Sequence, residues 1–541
     1  MPLVAPLRPH PEGHMVPGGR LDRRAFLQGG LAVAAGAGLL VRGVAAGAAE
    51  PGTGPYGSIA ARSPDRNGLI LPEGFSSRVV AVSGDPVGLS GYEWPLFPGG
   101  AGTFTDGAGG WFYACNSAVY DYLTPWKPLG GASAVHFDPQ GEVLDAYRIL
   151  VGSHSNRDGG PTSWGTWLSC EQDFEGDGIV WECDPSGSQP AVAREALGRR
   201  RHGSATVNAT DGVVYLTEAE RDGLLYRFTP DEFGDLSAGR LDAMILDADG
   251  TVGWGPVVDP SGGEVPARHQ APGAFVTAVG GGVWCQDGWL WFTTSLDNRV
   301  HAVDLLKRRY ELVWDGVGNR QPLAGIADLT VAPVSGDLYV AEDRGDMELV
   351  LIGADGDVAP FARFADPTHR LSEVTGPCFD PAGERLYFSS LRGPGNRLTR
   401  DIIPDVDWGD APEGLMVGVT YEVTGPFRGV AMAAPSAPAV SPTSSPALPA
   451  TTSLPVAAET TVADAASGAP PTATFPPSTV PAPPSTLAGA GQGGSPDGSW
   501  ETLMGVGVAL AAGAVAVVGI LALRRRDSGG TPDEAPEEDG A

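Results

Sequence analysis

The stretch Gly336 to Asp343, GDLYVAED, returns in altered form along the chain, and this recurrence restricts the possible folds more than any other feature. A glycine opens a tight turn, alternating apolar residues make a short half-buried strand, and a polar or acidic pair ends it. Six strands fit this description: GGWFYACNS from Gly109, GTWLSCEQ from Gly165, DGVVYLTEAE from Asp211, DGWLWFTTS from Asp287, SGDLYVAED from Ser335 and AGERLYFSS from Ala382. The glycine ahead of each, at 110, 165, 212, 288, 336 and 383, steps by 55, 47, 76, 48 and 47 residues. A blade of four short antiparallel strands takes roughly 40–50 residues, so the spacing predicts an all-β, six-bladed β-propeller with an insertion in the long step. A β-sandwich, turning every ~8–12 residues, offers no reason for such a period.

Two more isolated strands bear on how the ring closes. Pro72 to Ser83 carries FSSRVVAVS, and Leu415 to Thr424 reads LMVGVTYEVT, each without a partner nearby in sequence. An open ring would leave bare strand edges, so both ends of the chain are expected to share one blade. The long step holds Pro230 to Pro272, rich in Gly, Pro and Asp, and is expected to be an insertion at one end of the barrel where loops cover a site.

The flanks differ from this block. DRRAFLQ at 22–28 places Arg23 and Arg24 before a short Ala/Gly/Leu run ending near Ala49, the pattern of a twin-arginine export signal over residues 1–49. The propeller is expected over 69–427. Residues 428–502 turn to Pro, Ala, Ser and Thr with almost no charge, which suits an extended stalk. Residues 503–523 are uncharged, long enough as a helix to cross ~30 Å of hydrocarbon, and Arg524, Arg525 and Arg526 follow. That order keeps the acidic tail, 524–541, in the cytoplasm and puts the propeller outside the cell membrane.

Charge narrows the function. Lys and Arg total 35 against 65 Asp and Glu, a net −30, which repels nucleic acid and suits a protein that gathers cations. The five cysteines, Cys115, Cys170, Cys183, Cys285 and Cys378, have no zinc or redox spacing. No nucleophile elbow, P-loop or HExxH motif is present in the folded block. What remains is a set of acids at matching points of the repeat: Glu171, Glu218, Glu342, Asp343 and Glu373. Equivalent ends of successive inner strands converge on the axis of a propeller, so these carboxylates are expected to meet across a pore, where cations must neutralise them. An oxygen-rich site of that kind suits calcium or trivalent iron.

The strings TSWGTWLSCEQDFEG, VYLTEAERDGLLYRFTP, DNRVHAVD, SGDLYVAEDRGDMELVLI and SEVTGPCFDPAGERLYFSSLRG resemble the PhoX-type alkaline phosphatases over roughly Leu69 to Gly393. The resemblance implies a six-bladed, twin-arginine-exported phosphomonoester hydrolase with an iron and calcium cluster on the propeller axis, one iron ligand being a cysteine. It places Glu171, Glu218, Glu342, Asp343 and Glu373 where relatives also carry acids. This chain departs from the pattern at four positions. Arg157 stands where the iron-binding cysteine is expected, and Ala118, Gly203 and Gly281 stand where acids are expected. An arginine cannot ligate iron. Calcium binding with weakened or lost iron chemistry is therefore expected. The alternative is a non-catalytic surface propeller that binds a ligand or partner.

Overall fold

The repeat glycines do what a tight hairpin demands. Gly165, Gly212, Gly288, Gly336 and Gly383 all have φ between 72° and 89°, a conformation that costs glycine nothing and a residue with a Cβ a good deal. Each sends the chain back along the strand it has just left. The computed structural model describes residues 49–119, 129–317, 321–343, 346–367, 369, 372–393 and 418–429. The signal up to residue 48, the stalk beyond 429, the 503–523 helix and the tail lie outside them. Among the described residues no helix is long and apolar enough to cross a membrane.

Strands β1 (Glu50–Pro51), β2 (Leu69–Ile70) and β3 (Ser76–Val82) precede the first full blade. Blade one is β4 (Pro98–Thr105), β5 (Trp111–Ser117), β6 (Gly131–Phe137) and β7 (Val143–Leu150). Blade two is β8 (Asn156–Pro161), β9 (Trp167–Glu171), β10 (Val180–Cys183) and β11 (Val192–Ala193). Blade three has five strands: β12 (His202–Val207), β13 (Val214–Glu218), β14 (Leu225–Glu232), β15 (Asp235–Leu246) and β16 (Val252–Pro256). Blade four is β17 (Gly280–Gln286), β18 (Trp289–Thr294), β19 (Arg299–Asp304) and β20 (Arg309–Asp315). Blade five is β21 (Ile326–Val331), β22 (Leu338–Glu342), β23 (Glu348–Ile352) and β24 (Asp357–Phe364), with β1 and β2 both paired to β24. Blade six is β25 (Val374–Phe379), β26 (Arg385–Ser390), β27 (Val419–Thr424) and, as its outer strand, β3.

The pairing of β27 with β3, Val419 opposite Val82 and Thr424 opposite Ser76, closes the ring as the two isolated strands suggested. Strands β4, β8, β12, β17, β21 and β25 each lie against the next, and β25 lies against β4, so these six surround the axis. The long step is only partly a loop. Much of it is the β14–β15 hairpin and the extra strand β16, whose Gly, Pro and Asp content hides the alternation of a strand. The described fold also starts earlier than its strand pattern, at Ala49, which is buried, and β1 runs parallel to β24.

No single core holds the ring. Six apolar layers do, one between each pair of neighbouring blades. Consequently every residue of β9, β13 and β22 is buried, where the alternation suggested one open face. A blade pressed between two neighbours has no wet side.

Candidate axial site

A backbone bond repeated six times defines equivalent positions. The residue after each second strand donates its N–H to the carbonyl just before that blade's inner strand: Ala118 to Phe97, Gln172 to Ser155, Ala219 to Arg201, Ser295 to Val279, Asp343 to Gly325 and Leu391 to Glu373. Four of these entry residues have positive φ, including Ser155 at 54° and Val279 at 60°. Counting inward from entry, the third layer is Gly99, Arg157, Gly203, Gly281, Ala327 and Thr375. The fourth is Gly100, Asp158, Ser204, Gly282, Asp328 and Gly376. Each inner strand bulges at this depth, which lets several residues of one strand approach the axis together.

The repeated strand proves to be the second of each blade and not the inner one. Its acidic ends therefore stand one strand away from the axis, which corrects the convergence expected from the repeat. Glu171, Glu218 and Glu342 are equivalent to Ser117, Thr294 and Ser390, and each holds a loop at its own blade. Glu171 accepts from Ser153 Oγ at 2.6 Å, Trp181 Nε1 at 2.9 Å and Ile179 N–H at 3.0 Å. Glu218 accepts from Tyr226 Oη at 2.6 Å and Arg268 Nη1 at 3.1 Å, Arg268 coming from the long segment between blades three and four. Glu342 accepts from the backbone N–H of Ala324 at 2.9 Å and of Glu348 at 3.2 Å. Burial, with the nearby charge of Glu348, pushes the Glu342 carboxyl well above its ordinary range against the pull of those two amides. Asp343 is half-buried beside it. Glu373 alone of the five is an entry residue.

At the third layer the ring is small everywhere except Arg157. Its guanidinium forms an ion pair with Glu373, which has no exposed side-chain area, and Arg392 stands 3.9 Å from the other carboxylate oxygen. A Cβ on Gly203 would fall 2.5 Å from the Gly280 carbonyl, and one on Gly281 2.2 Å from the Ala327 carbonyl. Here glycine is the condition for neighbouring inner strands to lie this close. Ala118, fully buried, packs with Leu96, Phe97, Val119 and Leu391. A carboxylate there would lose its water without gaining a partner.

The fourth layer holds two acids that the repeat did not reveal. Asp158 and Asp328 sit on β8 and β21, three places apart in the ring of six, and the charge of Asp328 bears on Asp158. Asp328 also accepts from Leu329 N–H at 2.7 Å and from Gly376 N–H at 3.1 Å. Asp158 accepts from Gly159 N–H at 2.8 Å. Burial, then the charge of Asp328, pushes Asp158 well above the usual carboxylate range, and burial pushes Asp328 up to about 6. Asp158 lies in SNRDGG, a segment that reads as a loop. Asp328 lies in GIADLTV, where one acid among apolar residues marks nothing by itself.

At the positions that the resemblance gave the cluster's thiolate and two of its acids, Arg157 is paired with Glu373, and Gly203 and Gly281 lie against neighbouring backbone. Among the described residues no three His, Cys, Asp or Glu side chains gather so as to hold a metal ion.

Comparison with known proteins bears on this geometry. No curated protein matches the chain. The structure of Pseudomonas fluorescens PhoX in complex with vanadate, described as a transition state analogue, superposes with a TM-score of 0.52 at 16% identity, over 71% of this chain and 98% of that one. A Xanthomonas campestris gluconolactonase gives 0.34 at 12% identity over 68% and 99%, too low to carry an argument. Residues 130–307 match the family model described as alkaline phosphatase PhoX, a metal-dependent family. The resemblance read from the strand motifs thus stands: this is a PhoX-like chain, on a propeller of the fold seen in the Pseudomonas fluorescens protein.

Proposed function

We propose that the chain is an extracytoplasmic, membrane-anchored PhoX-like protein whose metal-dependent phosphomonoester hydrolysis is reduced or absent, and which works by binding a ligand at the axial end. The observation that carries this reading is the Arg157–Glu373 ion pair. In-line displacement at a phosphoryl group needs cations on its oxygens, and a metal cluster supplies several such charges at once. A single arginine, partly neutralised by Glu373, supplies far less. Arg157 Nη1 is nonetheless buried without a hydrogen-bond partner, so the site keeps a donor that an anionic or carbonyl ligand would satisfy.

Two features support surface display. Arg23 and Arg24 form the export pair, and the 503–523 segment has the length of a membrane span. Strand β27 runs from Val419, opposite Ser390 at the entry end, to Thr424, opposite Arg385 at the far end. The last described strand therefore ends at the face of the propeller opposite the axial site.

Metal content settles the reading. The exported chain is analysed for iron and calcium while its hydrolysis of a generic phosphomonoester is measured. Iron well below one atom per chain with turnover near background is expected. Calcium, the metal to which Glu171, Glu218, Glu342, Asp343 and Glu373 would be suited, is not needed by this reading. Stoichiometric iron with brisk turnover would overturn it.

A further inference from the structure

Three arginines in a row, Arg199, Arg200 and Arg201, lead into β12, and the middle one is set apart. Arg199 pairs with Glu195 at 2.8 Å, and Arg201 lies over the Phe174 ring and 3.8 Å from Glu220. Arg200 is 2% exposed and, among the described residues, has no carboxylate partner. Its guanidinium is held in place all the same. One face lies on the Tyr226 ring, 4.0 Å from the centroid, and Nη2 donates to the carbonyl of Leu197. Nε and Nη1 are buried without a hydrogen-bond partner. The acid that these contacts lead to is Glu218, whose Oε2 accepts from Tyr226 Oη at 2.6 Å and whose Oε1 accepts from Arg268 Nη1 at 3.1 Å. Both its oxygens are thereby taken.

A guanidinium cannot shed its charge inside a protein, so its burial calls for a counter-ion from elsewhere. We infer that Arg200 marks a site for a small monovalent anion of the chloride class, enclosed between blade three and the segment that leads to blade four. The site takes one charge, because Arg200 is the one cation there without a counter-ion. His202, two residues on, gives Nε2–H to Gly198 O at 3.1 Å and is kept neutral by its burial, then by the Arg200 charge. The anion is small, because Gly198 closes over the guanidinium: a Cβ there would stand 2.9 Å from Arg200 Nη2 and 2.7 Å from the Pro260 carbonyl. The segment rests on the same residues. Arg199 N–H donates to Pro260 O at 2.9 Å, and Leu197, Tyr226, Val257 and Ala267 share one apolar layer. An anion on Arg200 therefore fastens the segment to blade three, and it does so without the axial arginine, Arg157, which pairs with Glu373.

Thermal unfolding of the full chain at fixed pH and ionic strength, exchanged into gluconate and then given chloride stepwise, tests the site. A ligand held only by the folded state raises the midpoint by mass action, so a saturating rise of about 3–5 °C is expected. General salt effects work through exclusion from the whole surface and do not saturate in this way. Arg200→Met keeps apolar bulk on Tyr226 and removes the charge, so it should abolish the saturating rise while melting in gluconate no lower than the unmodified chain. Arg157→Met with Glu373→Leu should retain the full rise. If Arg200→Met does not fold, Arg200→Lys decides: an ammonium keeps the charge but lacks the planar fork, so the half-saturating chloride concentration should change by about fivefold or more. Equal midpoints in chloride and gluconate, a rise that survives in Arg200→Met, an unchanged half-saturating concentration in Arg200→Lys, or loss of the rise in the axial double variant would overturn the site.

Discussion

Arg157 and Glu373 show how one substitution is accommodated in a crowded ring. A long cation among five small neighbours at the third layer has one buried carboxylate within reach, and the pair satisfies both charges at the cost of removing them from water. Such a pair is weak support for stability as a whole, yet each half depends on the other. Glu373→Gln should therefore destabilise the propeller by roughly 3–5 kcal/mol, because it leaves a guanidinium that is only 13% exposed without its counter-ion. Replacing both residues together, Arg157→Met with Glu373→Leu, should cost much less, and urea unfolding of the four forms reads the difference as a coupling energy. Independent, small effects of the two changes would mean that the ion pair does not organise the axial end. The identity of Arg157 was legible from the sequence through the motif around it. Its partner was not, since nothing in the spacing of residues 157 and 373 says that two inner strands bring them together.

At the scale of the strand, the repeat exposed the architecture and disguised the role of its acids. GDLYVAED and its relatives could be found because every blade needs the same glycine turn and the same short apolar run. Their final residues share a structural role beside the metal chemistry they suggest. Ser117 bonds Leu96 O at 2.8 Å, Glu171 bonds Ser153, Glu342 bonds the amide of Ala324, and Ser390 bonds Ser372 at 2.7 Å, each time tying down the loop that enters the inner strand of its own blade. Sequence alone cannot separate a loop tether from a ligand, because both require an oxygen at the end of a buried strand. The inner strands were harder still to read. PGGAGTFT, NRDGGP and GGGVWCQ look like turns, yet their glycines are what allow backbones to pack around an axis. If the tether account is right, Glu171→Ala should cost about 3 kcal/mol by stranding the Ser153 hydroxyl, the Trp181 indole N–H and the Ile179 amide, and Glu171→Gln should recover part of it. Thermal melts with and without a calcium chelator distinguish the roles: a tether responds to substitution but not to the chelator, whereas a calcium ligand responds to both.

Over the whole molecule, stability is distributed among six interfaces and one closure. The strand pattern places the end of the ring at Phe427, since everything beyond it reads as stalk, span and tail, and a fragment ending there is expected to fold. The structure extends the fold by a short but consequential step. Arg428 donates its backbone N–H to Tyr56 Oη at 2.9 Å, and its guanidinium is paired with Asp337, which has no exposed side-chain area. Tyr56 in turn packs edge-on against Phe75 and Phe361, with ring centroids 5.0 and 5.8 Å away. The segment from Ala49 and the residue just beyond Phe427 therefore fasten each other beneath blade five, outside the β27–β3 pairing that closes the ring. A fragment of residues 49–429 should unfold in one cooperative transition. Ending it at 427 should remove about 2–3 kcal/mol, less than the roughly 3–5 kcal/mol that breaking a fully buried pair costs, because Arg428 is a third exposed and screened by water. Starting at 69 instead of 49 should also destabilise it, by uncovering the edge of β24 and removing Tyr56 from its aromatic neighbours. Equal denaturant midpoints for the fragments ending at 427 and 429 would show that the Arg428–Asp337 pair adds nothing. A lower midpoint at 427 that is matched by Asp337→Asn in the longer fragment would assign the loss to that one contact.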